Sequence, residues 1–209
     1  QGVDSLKSMN VHTIIPDRIE AGTYLSFAAA NGNGVLVKNV ITEHLDPFLS
    51  KLEEMGVRME IDEDEIYVPG GDVLSPVNIK TSPFPGFATD LQQPITPLLM
   101  QARGSSTIID TLYPERTKHI PEMQRMGAKI SSKDGIITVG HSTDLSGTVV
   151  EAGEIRAGVS LVGLALMAKG TTVINKADNI LRGYDRIVEK FRGLSVDLEV
   201  INESESLNH

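Results

Sequence analysis

The sequence predicts an α/β domain in which three similar units enclose three apolar helices, with the β-sheets on the outside. The first observation is one succession of signals that occurs three times, at a spacing of roughly 70 residues. In each copy an apolar helical run leads to a glycine turn and a β-branched strand. A shorter amphipathic helix and alternating apolar and polar residues then follow. We therefore expect one domain over residues 1–209, with βαβαββ-like units at about 11–71, 77–141 and 145–203.

The first half of each unit carries the helix that we expect in the core. These runs are apolar on nearly all sides, which is typical of a helix buried all round. They span residues 21–30, 95–102 and 157–168, and the turn glycines that follow them are Gly32, Gly104 and Gly170. Pro94 and Pro97 fall at the second run, where an interior proline costs roughly 3 kcal/mol. This helix is therefore predicted to be short or irregular.

The second half of each unit predicts a helix with one buried face and then a pair of strands. In the first unit the apolar residues fall at helical spacing on one face, and they are Phe48, Leu49, Leu52 and Met55. Gly56 and Gly127 stand where a helix C-terminus favours glycine. The third copy matches less well, because its glycine comes earlier. No unit can bury its long helix alone, so the three units are expected to share one core.

Composition excludes several classes of function. The chain has no cysteine, which excludes disulfides, thiolate metal sites and a cysteine nucleophile within it, and its five histidines lack zinc-site spacing. A net charge of -9 without a Lys/Arg run argues against nucleic acid as a partner. No stretch approaches the roughly 18–20 apolar residues of a membrane span, and no signal peptide is recognisable at the N-terminus. We therefore expect a cytoplasmic protein that binds neither membrane nor metal.

Five stretches of the sequence resemble the enolpyruvyl transferase family. They are HTIIPDRIEAGTYL (12–25), PGFATDLQQ (85–93), YPERTKHIPEMQRMGA (113–128), EIRAGVSLV (154–162) and ILRGYDRIVEKF (180–191). The first two resemble the branch of the family that acts on a nucleotide-sugar. The resemblance implies two domains of three βαβαββ units each, which close over substrate in a cleft. This chain is then expected to be the carboxyl-terminal domain of a protein about twice as long, with the N-terminal catalytic domain absent.

The resemblance also implies a reaction. The enolpyruvyl group of phosphoenolpyruvate passes to the 3-hydroxyl of UDP-N-acetylglucosamine, with release of phosphate and without a cofactor. This step belongs to peptidoglycan synthesis, on which cell-wall biogenesis, cell shape and cell division depend. The family's catalytic cysteine lies in the other domain, so this half alone is expected to be inactive. Two alternatives stay open: a stand-alone module that binds a nucleotide-sugar or a protein without turnover, and the shikimate-pathway enolpyruvyl transferase.

Residues that match the family's motifs form the predicted site. Asp90 matches the carboxylate proposed as the base for the sugar hydroxyl, and Thr89 beside it matches a substrate contact. An alternative is that either side chain merely caps a helix. Arg116, Arg156 and Arg182 match cleft arginines that meet phosphoenolpyruvate or the reacting intermediate, and Arg182 is predicted to be catalytic. For each arginine the alternative is a solvated surface position.

For the remaining predicted substrate contacts, an ordinary structural role is a stronger alternative. Glu154 stands where the family commonly has aspartate, and it is expected to orient a nearby arginine, to close the cleft or to favour the start of a helix. Arg18 is a weaker substrate contact, because two adjacent acidic residues offer an ordinary surface ion pair. Leu112 matches a contact to the nucleotide-sugar. His119 titrates near neutrality when unperturbed, but a structural hydrogen bond is the expected role.

Overall fold

The computed structural model describes residues 2, 4, 5 and 11–202. The last seven residues, ESESLNH, carry no fold signal in the sequence, and they lie outside this part of the chain. We group the helices and strands by the three predicted units, whose limits remain a prediction. Within the described residues, no helix combines the length and the apolar character needed to cross a bilayer.

The first unit begins with a long buried helix. Its elements are α1 (Arg18–Asn31), β1 (Val35–Lys38), α2 (Asp46–Met55), β2 (Glu60–Ile61) and β3 (Glu65–Val68). Asp17 caps α1, since its carboxylate accepts from the backbone N–H groups of Ile19 and Glu20. Gly32 ends the helix with a φ of 73°. The strands form an antiparallel sheet in the order β1-β3-β2.

The second unit shows the most complete version of the pattern. Its elements are β4 (Asn78–Lys80), α3 (Thr96–Leu99), β5 (Ser105–Ile109), α4 (His119–Arg125), β6 (Ile130–Lys133) and β7 (Ile136–Gly140). The sheet order is β4-β5-β7-β6, with β4 parallel to β5 and the other pairs antiparallel. The short helix predicted from Pro94 and Pro97 is confirmed, because α3 has four residues. A 3-10 turn at Thr89–Leu91 precedes it.

The third unit keeps the helices but has fewer strands. Its elements are β8 (Val149–Glu151), α5 (Ile155–Ala165), β9 (Val173–Asn175), α6 (Asp178–Leu181) and α7 (Ile187–Gly193). β8 pairs with β9 in parallel, as β4 does with β5. In the described part of the chain, no hairpin follows α7, and no strand precedes α1. The βαβαββ pattern is therefore complete only in the second unit.

Long helices of the first and third units join the core. α1 and α5 each bury residues in both hydrophobic clusters of the domain, so the clusters are connected. Small residues let the helices approach: a side chain at Gly163 of α5 would collide with the ring of Phe27 of α1. The predicted α/β class with buried apolar helices is confirmed. This packing brings the N-termini of α1 and α5 near the 3-10 turn at Thr89–Leu91.

Candidate active site

A cleft of about 400 Å³ opens beside the start of α1, the 3-10 turn and the loop after β5. Five of the predicted site residues line it, and they are Arg18, Thr89, Asp90, Leu112 and Arg116. The other lining residues are Ile19, Ser82, Pro83, Phe84, Ala88 and Tyr113. Residues from two different units thus meet around one opening.

Asp90 lies between two arginines. Arg116 Nη1 donates to Asp90 Oδ1 at 2.6 Å, and Arg156 Nη2 stands 3.6 Å from Asp90 Oδ2. The Asp90 side chain is 39% exposed, so a ligand in the cleft can reach it. The capping alternative is wrong, because the N-cap residue of the turn is Ala88, and the side chains of Thr89 and Asp90 bond to Asp110 and Arg116 rather than to backbone N–H groups. The carboxylate instead faces the cleft with a cation on each side.

The hydroxyl of Thr89 is fixed by hydrogen bonds to other side chains. It donates to Asp110 Oδ2 at 2.5 Å and accepts from Arg116 Nη1 at 3.2 Å. The Arg116 guanidinium also lies over the ring of Tyr113, 4.7 Å from its centre. Arg116 is therefore fixed by a carboxylate, a hydroxyl and an aromatic face, which is the kind of support that a binding arginine needs.

Asp110, which no motif in the sequence pointed to, supports this arrangement. Its buried carboxylate accepts from Thr81 Oγ1 at 2.8 Å, from Leu112 N at 3.0 Å and from Tyr113 N at 2.9 Å, as well as from Thr89. Burial alone would raise the pKa of Asp110, but these hydrogen bonds outweigh it and hold the pKa below its usual value. The sequence does carry one local signal for this role. An aspartate directly after a strand often accepts from the backbone N–H groups two and three residues further along the chain.

Arg156 is anchored to the third unit. Its Nη1 donates to the hydroxyl of Tyr184 at 3.0 Å, and its guanidinium lies 5.4 Å from the centre of the Tyr184 ring. Tyr184 Oη in turn contacts Thr23 Oγ1 of α1 at 3.0 Å. Burial raises the pKa of Tyr184, which the charge of Arg156 and the two hydrogen bonds oppose without reversing. The predicted surface alternative does not describe Arg156, whose side chain is 18% exposed.

Glu154 meets a buried amide rather than the arginine two residues on. It occupies the N-cap position of α5, and its Oε1 accepts from Gln93 Nε2 at 3.0 Å. The same amide nitrogen lies 3.2 Å from Nδ1 of His119. Because an amide nitrogen only donates, His119 Nδ1 accepts, and the neutral ring carries its proton on Nε2. The expected structural hydrogen bond of His119 is present.

Burial lowers the pKa of His119 to about 3. The unfolded chain takes up this proton near pH 6.5, whereas the folded chain resists it. The contribution of His119 to stability is therefore complete above about pH 6.5 and is lost as the pH falls toward the folded value, with a slope of up to about 1.4 kcal/mol per pH unit.

We expect His119→Asn to flatten this acid dependence, because Asn Oδ1 can accept from Gln93 but does not titrate. The measurement is urea unfolding of wild type and variant at pH 7, 6 and 5. His141→Asn is the control for loss of one histidine. Equal slopes for wild type and His119→Asn would contradict the assignment.

Two of the predicted site residues, Arg182 and Arg18, take no part in the contact between Asp90 and its two neighbouring arginines. Arg182 follows α6 and donates through Nη2 to Asn179 Oδ1 at 2.6 Å, its sole side-chain hydrogen bond among the described residues. Arg18 lies 5.1 Å from the centre of the Phe84 ring and donates to the carbonyl oxygen of His44 at 3.4 Å. The predicted ion pair of Arg18 with Asp17 or Glu20 is not formed among the described residues, since Asp17 caps α1 and Glu20 pairs with Lys190. Arg18 therefore stays available at the rim of the cleft.

The side chains of the described residues offer no evident metal site. Over residues 11–202, no three or more carboxylate or histidine side chains come together in a way that suits a metal ion. The polar side chains at the cleft are instead one carboxylate, three hydroxyls and several guanidinium groups, and they belong to Asp90, to Ser82, Thr89 and Tyr113, and to Arg18 and Arg116, with Arg156 beside Asp90. This donor set suits proton transfer and the binding of anions.

Comparison with known proteins identifies the family. The model of the family described as EPSP synthase (3-phosphoshikimate 1-carboxyvinyltransferase) matches residues 1–191. The chain belongs to this family. It is 56% identical over 205 residues to "UDP-N-acetylglucosamine 1-carboxyvinyltransferase 2" of Lactiplantibacillus plantarum, covering 98% of this chain and 48% of the relative. The predicted resemblance to enolpyruvyl transferases is confirmed, and the chain spans about half the length of the curated relatives it matches.

Solved structures of this family share the fold. The enolpyruvyl transferase NikO from Streptomyces tendae superposes with a TM-score of 0.82 at 26% identity, over 89% of this chain and 44% of that chain. EPSP synthase from Acinetobacter baumannii superposes with a TM-score of 0.70 at 15% identity, over 91% of this chain and 45% of that chain. At 15% identity the likeness concerns the fold alone.

Proposed function

We propose that this chain is one half of an enzyme that transfers the enolpyruvyl group of phosphoenolpyruvate to the 3-hydroxyl of UDP-N-acetylglucosamine, as a step of peptidoglycan synthesis. The observation that carries the proposal is the 56% identity to the Lactiplantibacillus plantarum relative over 98% of this chain. Below, the longer protein that contains this half is called the full-length enzyme. Its cytoplasmic location stays a prediction.

Asp90 is the proposed base. Its carboxylate takes the proton of the sugar hydroxyl while that oxygen forms a bond to C2 of phosphoenolpyruvate and C3 gains a proton. Loss of a C3 proton then restores the double bond as the C2–O bond to phosphate breaks, and phosphate leaves. The position of Asp90 in the cleft, 39% exposed and bonded to Arg116, supports this role. The reaction needs no oxidant and no net gain of protons.

The arginines are the proposed anion-binding groups. Phosphoenolpyruvate carries a carboxylate and a phosphate, and a planar guanidinium can pair with two oxygens of either group. Arg116 and Arg156 flank the base, so an anion bound there lies beside the reacting hydroxyl. We assign Arg182 to the same chemistry as a catalytic residue. The other proposed substrate contacts are Arg18, Thr89, Leu112 and Glu154.

Similarity favours this reaction over the shikimate-pathway alternative. The nucleotide-sugar relative is 56% identical to this chain, whereas EPSP synthase from Acinetobacter baumannii is 15% identical. Purified full-length enzyme is expected to release phosphate from phosphoenolpyruvate with UDP-N-acetylglucosamine and not with shikimate 3-phosphate. The reverse preference would replace the proposed acceptor, and release with neither acceptor would favour a binding module without turnover.

The isolated 209-residue chain is expected to release no phosphate from the same substrates. A cleft between two domains cannot be closed and freed of water by one of them, and water exclusion strengthens the electrostatic contacts on which the reaction depends. The measurement is continuous phosphate release at saturating substrates, with full-length enzyme as the positive control. Steady turnover by the isolated chain would show that this half holds a complete active site.

A further inference from the structure

A buried chain of hydrogen bonds connects Arg156 to α1. Thr23 Oγ1 donates to the carbonyl oxygen of Ile19 at 2.8 Å. Because a hydroxyl has one proton, Thr23 must accept in its 3.0 Å contact with Tyr184 Oη. Tyr184 therefore donates to Thr23, and its oxygen is left to accept from Arg156 Nη1 at 3.0 Å. The carbonyl of Ile19 thus sets the direction of each hydrogen bond in this series.

Because this series of hydrogen bonds is buried, it is a fixed support for the guanidinium group of Arg156. Thr23 and Tyr184 are each 1% exposed, so bulk water does not compete for their hydroxyls. The Tyr184 hydroxyl holds one nitrogen of Arg156, while the second nitrogen points toward Asp90 Oδ2 at 3.6 Å. Arg156 therefore has one edge on a buried support and the other at the candidate site.

We propose that Tyr184 is the positioning residue for Arg156 and that Thr23 fixes the direction in which Tyr184 acts. The inference rests on the proposed function, in which Arg156 binds an anionic group of phosphoenolpyruvate. A guanidinium recognises two oxygens only when its plane is correctly oriented. Without the Tyr184 hydroxyl, one N–H of Arg156 loses its partner and the planar group can rotate away from the anion.

Tyr184→Phe in the full-length enzyme is the direct test. A hydrogen bond to a charged group contributes enough that its loss should lower kcat/KM for phosphoenolpyruvate by about 10- to 100-fold. KM for UDP-N-acetylglucosamine should change less than threefold. Tyr24→Phe is the matched control, because it removes a buried hydroxyl on the same helix as Thr23 that has no hydrogen-bond partner among the described residues. Its kinetics should equal those of wild type.

Thr23 provides a second test that leaves the Tyr184 ring in place. Thr23→Val keeps the shape but removes the acceptor that orients the Tyr184 O–H, while Tyr184 Oη can still accept from Arg156. It should therefore lower kcat/KM for phosphoenolpyruvate by less than Tyr184→Phe does, and Thr23→Ser should restore nearly full activity. Wild-type kinetics for Tyr184→Phe, or an equal loss in Tyr24→Phe, would overturn the inference. If Tyr184→Phe fails to fold, the Val and Ser pair at Thr23 decides.

The proposed function can fail separately from this inference. Wild-type full-length enzyme without transferase activity would refute the proposed function, and the assignment of Tyr184 would fall with it. Active wild type in which Arg156→Lys loses activity and Tyr184→Phe does not would refute the positioning role alone. Loss of activity in both variants, with the two effects less than additive, would support the coupling of Tyr184 to Arg156.

Discussion

Asp90→Asn in the full-length enzyme is expected to lower kcat by about 10²- to 10⁴-fold, the range that positioned acid–base groups typically supply. Asparagine keeps the shape, and its Oδ1 can still accept from Arg116 Nη1. It cannot take up the proton of the sugar hydroxyl at neutral pH. Asp90 caps no helix and is partly exposed, so thermal unfolding should hardly change.

The measurement is kcat at saturating substrates beside the unfolding curve. Asp62→Asn is the matched control, because it removes one exposed carboxylate from the turn between β2 and β3 and keeps the acceptor for the N–H of Glu63. It should leave both readings unchanged. Near-normal kcat for Asp90→Asn would remove Asp90 from the proposed chemistry, and a large drop in melting temperature would show that its role is structural.

Asp110→Ala is expected to lower the free energy of unfolding by about 2–4 kcal/mol, because donors that include the buried Thr81 hydroxyl lose their acceptor. Asp110→Asn should cost about 1 kcal/mol, since one oxygen can still accept from Thr81, Leu112 and Tyr113. Asp144→Ala, which removes an exposed aspartate, should stay within about 0.5 kcal/mol of wild type.

Unfolding at low pH should show how much the negative charge of Asp110 contributes to the stability of the fold. The pKa of Asp110 is lower in the folded chain than in the unfolded chain, so its ionised form stabilises the fold above about pH 4. That stability is lost as the pH falls through the folded value. The difference between wild type and Asp110→Asn should therefore shrink between pH 7 and pH 3 in urea unfolding. A difference that is constant with pH would show that the charge of Asp110 does not contribute.

Local sequence determined much of the architecture. Helices that are apolar all round had to be buried, and the tripled order of signals indicated how three such helices share a core. Pro94 and Pro97 predicted a short α3 because proline lacks the N–H that a helix interior needs. Motifs that resemble the family also located Asp90 and Arg116, which line one cleft in the structure. Each of these inferences depends on residues that are close together along the chain.

Only the tertiary structure decided which side chains hold the site residues in place. Asp110 meets Thr89 across 21 positions, and Thr23 meets Tyr184 across 161 positions. No periodicity links such partners, because a hydrogen bond between distant segments depends on how those segments pack, within one unit for Asp110 and Thr89 and between two units for Thr23 and Tyr184. The sequence by itself therefore determined the buried helices and located residues that line the cleft, whereas only the packing of distant segments, within and between units, decided which hydroxyls and carboxylates hold those residues in place.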